Sequence, residues 1–387
     1  GALIYEDFIA RGAEGFDWPD FDENTAVAMC YTSGTTGDPK GVVYSHRALV
    51  LQSFACCLPS SLGLHEGDVL LPVVPMFHVN AWNTPYSCLM TGVKQVFPGP
   101  RLDGEGLYEL LDSEKVTYSA GVPTVWLGLL QYLEKSGKKL PYLRMGMSGG
   151  SALPEALIRG FAKYDVELQQ GWGMTEMSPV GTVNSLPPEV KELPLDERIP
   201  YQLKAGRALP FVDMRIVGED GNVLPNDGVS DGNLQVRGPW IIGEYYKTDK
   251  PTLTDDGWFD TGDVAIIDPD GFMQITDRSK DVIKTGGEWV SSIDIENAAL
   301  LHPGVAQAGV IGVHHPKWQE RPLLIVVKKE GQDPTADEIK EFLKPKLDKI
   351  AWPDAVEFID EIPLGATGKV LKTELRKIFK DYKLPAA

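Results

Sequence analysis

The loop YTSGTTGDPKGV, residues 31–42, combines the residue types that bind polyphosphates. Its glycines let backbone N–H groups turn toward an anion, its hydroxyl side chains donate hydrogen bonds, and Lys40 supplies positive charge. The spacing differs from the Walker A motif, which requires Gly, four residues and then Gly-Lys-Ser/Thr. Runs of Gly, Ser and Thr also form ordinary turns, so these residues alone leave both interpretations open.

A second segment, GWGMTE at residues 171–176, carries groups suited to a nucleotide. Trp172 lies between glycines and could stack on a purine, because glycine permits close approach. Thr175 can donate to a phosphate oxygen. Glu176 can coordinate Mg²⁺, which prefers carboxylate and phosphate oxygens. The alternative is a tryptophan packed beside the start of a helix.

Two later segments add a carboxylate and a lysine. DGWFDTGDVA, residues 256–265, precedes DRSKDVIKTGGEWVSS, residues 277–292. Asp263 is suited to accept both ribose hydroxyls and Arg278 to donate, although Asp-Gly units also form plain hairpin turns. PLGATGKVLKTELRK, residues 363–377, presents Lys369 after a glycine-rich loop. Such a lysine is either a solvated surface charge or a cation delivered to a developing negative charge.

The surrounding pattern predicts the elements that position these groups. AVAMCYTS, residues 26–33, is interpreted as a buried strand that leads into the loop, and SHRALVLQSFACCL as the following helix, capped by Ser45. Strands and helices then alternate up to about residue 207, which indicates an α/β domain with a mainly parallel sheet. Asp-Gly and Asn-rich turns between alternating strands predict a β-rich subdomain over about 207–279. A smaller α+β unit follows, with a capping box at Thr335 and Glu338.

Composition limits the function classes. The chain has 387 residues, so two or more domains are expected. The net charge of −18 argues against general nucleic-acid binding, and it means that an ATP-like ligand needs local cations. Four cysteines form no CxxC pair, which favours buried reduced thiols in a cytoplasmic protein. No apolar run approaches the roughly 18 residues of a membrane span.

The four segments in this order resemble the acyl-adenylate-forming superfamily of acyl-CoA synthetases, luciferases and peptide-synthetase adenylation domains. PMFHVNAW, PGPRLD, AGVPTVW, GGEWVSS and HHPKWQERP are similar to medium- and long-chain fatty acyl-CoA synthetases. GWGMTEMSP is also similar to ligases that act on the short thioether acid 3-methylmercaptopropionate. The resemblance implies an acid–thiol ligase that forms acyl-AMP from ATP, with Mg²⁺, and then transfers the acyl group to coenzyme A.

The resemblance also assigns roles to individual residues. Catalysis falls to Lys369, Lys40, Thr175 and Glu176. Contacts to ATP or AMP fall to Thr32, Ser33, Gly34, Thr35, Thr36, Gly37, Lys40, Gly149, Gly150, Ser151, Gly171, Trp172, Gly173, Met174, Thr175, Asp263, Arg278 and Lys369. The resemblance assigns Mg²⁺ binding to Glu176 and Thr36. His78 and Trp82 match the acyl site, with Trp82 as its gate. Lys284, Gly286, Gly287, Glu288 and Trp289 match the coenzyme A turn.

In domain terms the resemblance implies a large ATP- and acyl-binding domain over residues 1–279 and a small mobile domain over 280–387, hinged at Lys280. Relatives carry further chain ahead of the phosphate loop, so the sequence is expected to lack an N-terminal part of the large domain. A carboxylic acid is the expected substrate, and a homodimer and a peripheral membrane contact stay open.

Three other functions compete with the acyl-CoA synthetase interpretation. A luciferase-like oxygenase shares the first half-reaction. An amino-acid adenylation domain needs a carboxylate for the substrate ammonium group after Phe77, where this chain has His78. A binding protein that keeps the fold without turnover is the third, although every ATP-side position carries a chemically competent residue.

Overall fold

The computed structural model describes residues 4–13, 15–32, 38–286, 288–365 and 368–384. Within these ranges, none of the helices combines the length and apolar character that a membrane crossing requires. Four cysteines are free, and all but Cys57 are buried, as expected from the sequence.

The N-terminal region contains a two-stranded antiparallel ribbon ahead of a helix. Its elements are α1 (Tyr5–Ile9), β1 (Ala26–Tyr31), β2 (Gly41–Ser45) and α2 (His46–Cys57). The predicted cap is confirmed, because the Ser45 side chain accepts a hydrogen bond from the Ala48 N–H. The prediction that β1 is a buried strand is wrong, and strand β2 was not predicted. Only Cys30 of β1 is buried, since one face of a two-stranded ribbon lacks a partner, and β2 intervenes before α2.

A seven-stranded mixed sheet forms the centre of the large region, in the order β4-β3-β5-β6-β7-β8-β9. The first five strands run parallel and the last two pairings are antiparallel. The elements are β3 (Val69–Pro72), α3 (Val79–Trp82), α4 (Thr84–Thr91), β4 (Lys94–Gln95), α5 (Gly104–Ser113), β5 (Tyr118–Gly121), α6 (Pro123–Ser136), β6 (Met145–Ser148), α7 (Glu155–Ala162), β7 (Glu167–Gly173), β8 (Val180–Val183), α8 (Pro188–Lys191), α9 (Leu195–Gln202) and β9 (Arg207–Ala208).

Apolar side chains alternate between the two faces of this sheet. Leu70 packs into one core with Met147, whereas Leu71 packs into the other with Trp126 and Phe161. Helices α5, α6 and α7 contribute the second core. Strands buried on both faces explain why these segments are short, continuous apolar runs in the sequence.

An antiparallel four-stranded sheet follows, in the order β10-β11-β12-β13. It comprises β10 (Asp213–Val217), β11 (Gly232–Arg237), β12 (Phe259–Ile267) and β13 (Met273–Arg278). Asp263 and Arg278 are direct partners in the register of the last two strands. The predicted β-rich layout of this segment is therefore present, with hairpin turns where the sequence has Asp-Gly units.

The C-terminal region is built on a five-stranded mixed sheet in which β17 is central. Its elements are β14 (Ile283–Thr285), β15 (Glu288–Val290), α10 (Ser292–Leu300), β16 (Val305–His315), β17 (Gln319–Lys328), α11 (Ala336–Leu343), β18 (Ala355–Phe358) and α12 (Lys372–Ile378). The Thr335–Glu338 capping box opens α11 as predicted. The α/β class with a large mixed-sheet region and a smaller C-terminal one is confirmed. The domain boundary at residue 280 stays a prediction.

Candidate active site

The carboxyl ends of the parallel strands place most of the predicted residues along one edge of the central sheet. His78 and Trp82 follow β3, Gly149 follows β6, and Thr175 and Glu176 follow β7. The chain moves from β3 outward to β4 and then back to β5 on the other side of β3, which makes β3 a topological switch point. Open α/β sheets bind ligands at such points, outside the carboxyl ends of the strands.

One large cavity opens at this edge, between the central sheet and the C-terminal region. Its lining includes most of the predicted ATP-side and acyl-side residues: Thr32, Lys40, His78, Trp82, Gly149, Gly150, Ser151, Gly171, Trp172, Gly173, Met174, Thr175, Glu176, Asp263, Arg278, Lys280 and Lys369. The phosphate-loop residues Ser33, Gly34, Thr35, Thr36 and Gly37 lie outside the described residues, as does Gly287. Backbone and side-chain hydrogen bonds of 2.9 and 3.0 Å between Thr32 and Lys40 join the two ends of that loop.

Glu176 is held by a hydrogen bond from Tyr245. The residue is buried, and its Oε1 accepts a hydrogen bond of 2.7 Å from the Tyr245 hydroxyl. The same tyrosine ring lies under the Lys40 ammonium, with Nζ 4.5 Å from the ring centroid. Burial and the nearby Glu176 charge raise the pKa of Tyr245, so its hydroxyl stays a donor. Tyr245 therefore connects the phosphate-loop lysine to the carboxylate.

The second carboxylate, Asp263, is almost fully buried and has two donors. Its Oδ2 accepts from Trp172 Nε1 at 2.9 Å, and its Oδ1 pairs with Arg278 Nε at 2.8 Å. Burial raises the pKa of Asp263, while Arg278 and Trp172 act in the opposite direction. The indole hydrogen bond fixes the orientation of the Trp172 ring beside the carboxylate. A base stacked on that ring would have its ribose near Asp263.

Lys369 enters the cavity from the C-terminal region. A Cβ added at Gly150 would lie 3.0 Å from Lys369 Cε and 3.7 Å from Nζ, so the lysine crosses this turn. Burial and the positive charge of Arg278 lower the pKa of Lys369 to about 8, and Asp263 partly opposes them. The preceding Gly368 has φ +75°, and a Cβ there would approach Thr124 Oγ1 to 2.9 Å. Only glycine fits this backbone conformation and contact.

His78 and Trp82 lie on the sheet side of Lys369. Burial and the Lys369 charge lower the pKa of His78 to about 4, so the imidazole is neutral at pH 7. The Trp82 ring packs on Gly149, where an added Cβ would lie 3.1 Å from Cη2. A glycine therefore follows strand β6, because a side chain at Gly149 would displace the indole.

The segment that carries Trp82 has an unusual backbone. All five residues from Val79 to Asn83 have φ between 50° and 61°, which makes α3 a left-handed turn. For residues other than glycine this conformation costs roughly 1–2 kcal/mol each. Strained segments of this kind persist where the surroundings hold them, and they cluster at functional sites.

The turn that the sequence predicts to contact coenzyme A lies apart from the lysine loop. Among the described residues, the cavity lining includes Trp289 but not Lys284, Gly286 or Glu288. Lys284 Nζ lies 3.7 Å from Glu219 Oε1, and the Gly286 N–H donates to the Trp318 carbonyl at 2.8 Å. The predicted hinge, Lys280, follows β13 in a turn where burial lowers its pKa. The structure does not bring the turn and the lysine loop together.

Two positions with a role in the site went unpredicted. Tyr245 lies in GEYYK, a segment without a motif that would indicate a functional residue, and only the fold brings it to Glu176. Lys372, three residues after Lys369, has a side chain that is 13% exposed and pairs with Glu296 at 3.0 Å, while its Nζ also donates to Ser292. That pairing anchors the start of α12 beside the loop. The (i, i+3) spacing from Lys369 is the one signal that could have indicated it.

Comparison with known proteins identifies the family. The model described as "AMP-binding enzyme" matches residues 7–246, and "AMP-binding enzyme C-terminal domain" matches residues 294–369. The chain belongs to the AMP-binding enzyme family. It is 52% identical over 382 residues to 3-methylmercaptopropionyl-CoA ligase of Ruegeria lacuscaerulensis, covering 98% of this chain and 71% of that protein.

Two further relatives support the same assignment. The long-chain-fatty-acid–CoA ligase of Thermus thermophilus is 49% identical over 386 residues, which cover 99% of this chain and 71% of that one. The crystal structure of ATP-bound MatB from Rhodopseudomonas palustris superposes with a TM-score of 0.82 at 30% identity, over 98% of this chain and 73% of that one. The predicted superfamily is confirmed, and so is the class of AMP-forming acid–CoA ligase. The use of ATP is confirmed through this family.

Proposed function

We propose that this family member activates an unbranched aliphatic acid as its acyl-AMP and then transfers the acyl group to coenzyme A. The observation that carries the proposal is Lys369, a half-buried lysine that lines one cavity together with Asp263, Trp172 and His78. A cation at this place would reduce the repulsion between two anions that must react, the substrate carboxylate and the α-phosphate of ATP.

In the first half-reaction a carboxylate oxygen bonds to the α-phosphorus while the bond to pyrophosphate breaks. Lys369 and Lys40 offset the charge of the reacting groups, which matters in a chain with a net charge of −18. Asp263 and Trp172 hold the ribose and base. His78 lies next to the proposed acyl site and is neutral. It therefore adds no positive charge that would hold the substrate carboxylate away from the α-phosphorus.

The residues present also fit a magnesium ion. No cluster of three or more His, Cys, Asp or Glu side chains occurs in the described part of the chain, so a metal here would depend on Glu176 and the nucleotide's own oxygens. Carboxylate and phosphate oxygens are the ligands that Mg²⁺ prefers, and the bound ion would neutralise phosphate charge. Glu176 would hold it, with Tyr245 keeping the carboxylate in place and Thr36 as a second predicted ligand.

In the second half-reaction the coenzyme A thiol attacks the acyl carbonyl, the thioester bond forms, and AMP leaves. The thiol proton must be lost as the bond forms. Lys369 has no part in this step, because charge now develops on the carbonyl oxygen and not between carboxylate and phosphorus. The turn at Lys284, Gly286 and Glu288 is the proposed contact for coenzyme A.

Two acid classes are proposed as substrates. Medium- or long-chain fatty acids are supported by the sequence similarity to the Thermus enzyme and by an apolar Trp82 at the acyl side. A short thioether acid is the second candidate, favoured by the 52% identity to the Ruegeria enzyme. An amino acid is disfavoured, since neutral His78 supplies no anion for an ammonium group.

Pyrophosphate exchange tests the proposal. The chain is incubated with ATP, labelled pyrophosphate and a panel of acids: butyrate to palmitate, 3-methylmercaptopropionate and amino acids. We expect exchange with one class of aliphatic acid, followed by thioester formation when coenzyme A is added. Exchange with amino acids alone would exclude the proposed substrate, and exchange with no acid would favour a binding protein.

A further inference from the structure

Asn83 ends the left-handed turn that carries Trp82, and its side chain is fully buried. The Nδ2 group donates to Ser53 Oγ at 2.9 Å, to the Leu49 carbonyl at 3.5 Å and to Gln52 Oε1. All three acceptors lie on α2, the helix that directly follows the phosphate-loop ribbon. The asparagine amide therefore fastens the turn to the ATP side of the molecule.

The backbone of the turn also closes on this residue. The Asn83 N–H donates to the Val79 carbonyl at 3.2 Å and to the Asn80 carbonyl at 3.1 Å. The next residue, Thr84, donates its hydroxyl to the Ala81 carbonyl at 2.8 Å. Asparagine adopts left-handed backbone more readily than most other residues, so its type suits its position. Trp82, one residue earlier, can hold its place on Gly149 only while the turn keeps this shape.

We propose that Asn83 is a positioning residue that locks Trp82 against Gly149 and thereby sets which acyl chains the enzyme accepts. This inference rests on the proposed acyl site. Without the amide, α2 no longer holds the end of the turn, and the strained backbone can relax toward right-handed conformations. The indole then leaves Gly149, and the enzyme loses discrimination between acids of different length.

The experiment compares Asn83→Ala and Asn83→Gly with wild type in the 387-residue chain. Asn184→Ala is the matched control, because Asn184 is another buried asparagine whose amide donates to two carbonyls, those of Tyr201 and Lys204, at 2.6 Å. We measure kcat/KM for straight-chain acids from butyrate to palmitate and for a short thioether acid, KM for ATP, and Tm.

We expect the ratio of kcat/KM between the best and the worst acid to fall at least about fivefold in both Asn83 variants. One methylene in an apolar pocket is worth roughly 10–200-fold in discrimination, so such a change is measurable. KM for ATP should stay within about twofold of wild type. Asn184→Ala should lower Tm without altering the ratio, which separates positioning from general stability.

Three results would overturn the proposal. An unchanged ratio in Asn83→Ala, with a Tm loss like that of the control, would make Asn83 structural only. A wild-type ratio in Asn83→Gly with an altered one in Asn83→Ala would assign the effect to backbone conformation and not to the amide. If Asn83→Ala does not fold, Ser53→Ala removes one acceptor, and unchanged ratios there and in Asn83→Gly would reject the proposal. A wild-type chain that turns over no aliphatic acid contradicts the proposed function instead.

Discussion

The C-terminal region presents two functional segments, and they face different parts of the molecule. The loop that carries Lys369 lies against the large region, where Gly368 contacts Thr124 and the lysine crosses Gly150. The predicted coenzyme A turn packs instead on Trp318 and approaches Glu219, in the turn that follows β10. One region therefore presents Lys369 to the cavity, whereas Lys284, Gly286 and Glu288 of the predicted coenzyme A turn lie outside the cavity lining.

This difference indicates which half-reaction the observed arrangement serves. Adenylation needs a cation near the α-phosphate, which is the role proposed for Lys369. Thioester formation is proposed to need the coenzyme A turn, of which Trp289 lines the cavity whereas Lys284, Gly286 and Glu288 do not. The Lys369 loop and the predicted coenzyme A turn both extend from the same small sheet. Rotation of this region about Lys280 would therefore move the turn toward the cavity as it moves Lys369 away, which is a hinge movement.

The largest effect is expected for Lys369→Ala. Losing a positioned charge at a developing anion costs roughly 3–4 kcal/mol, or about 10²–10³ in rate. Single-turnover adenylation should fall by that factor, whereas coenzyme A thiolysis of supplied acyl-adenylate should stay near wild type. Lys377→Ala is the matched control, since Lys377 is an exposed lysine on α12 paired with Glu374. Equal losses in both half-reactions would make Lys369 structural and break the comparison.

The sequence indicated which residues line the cavity better than it indicated the tertiary contacts that position them. Strand–helix alternation and turn chemistry indicated the sheet types, and motif order indicated the cavity residues, because these signals are local in the chain. The contact of Tyr245 with Glu176 spans 69 positions and has no local signature. The left-handed turn at Val79–Asn83 is equally invisible, since Val, Ala and Trp all disfavour that backbone and only tertiary contacts stabilise it.

The error at β1 has a similar origin. AVAMCY has the apolar composition of a buried strand, but burial depends on what packs against each face. The ribbon with β2 provides a partner for Cys30 and leaves Val27, Met29 and Tyr31 exposed. Composition alone could not show that, because a strand's propensity reflects its neighbours more than its own backbone.

A second prediction concerns the carboxylate on the ATP side. Glu176→Gln removes the negative charge that would hold Mg²⁺, so adenylation at limiting Mg²⁺ should fall about 10–100-fold and recover partly at high Mg²⁺. Tyr245→Phe keeps the ring under Lys40 but removes the hydroxyl. It should raise the Mg²⁺ concentration needed for adenylation by less than Glu176→Gln does. Thiolysis should be unaffected in both variants, as measured with supplied acyl-adenylate. Mn²⁺ binding in the presence of ATP gives a second, activity-independent readout.

The pair of variants also tests whether Tyr245 acts through Glu176. In the double variant Glu176→Gln/Tyr245→Phe, the tyrosine change should add almost nothing, because its partner is already altered. If the losses of the two single variants add fully in the double variant, Tyr245 does not act through Glu176.

A third prediction follows from the pKa of Lys369, which burial and Arg278 lower to about 8. A cation with a lowered pKa loses its charge as pH rises through that value, two or more units earlier than an ordinary lysine. In the free enzyme, kcat/KM for adenylation should therefore decline above about pH 8. Lys369→Arg keeps its charge and should show no such decline, whatever its absolute rate. A wild-type profile that is flat to pH 10 would mean that the charge of Lys369 is not needed.

The smallest effect is expected for Lys284→Ala, on the turn that the observed arrangement holds away from the cavity. Lys284 is half exposed, and its pairing with Glu219 at 3.7 Å is a surface ion pair, which is worth at most about 1 kcal/mol. Stability and pyrophosphate exchange should therefore match wild type. If the turn meets coenzyme A after rotation, the lost contact should raise KM for coenzyme A about fivefold, near 1 kcal/mol. Lys317→Ala, another exposed lysine in this region, should leave that KM unchanged. An effect of Lys284→Ala on pyrophosphate exchange equal to its effect on thioester formation would show that the two segments are not exchanged between the half-reactions.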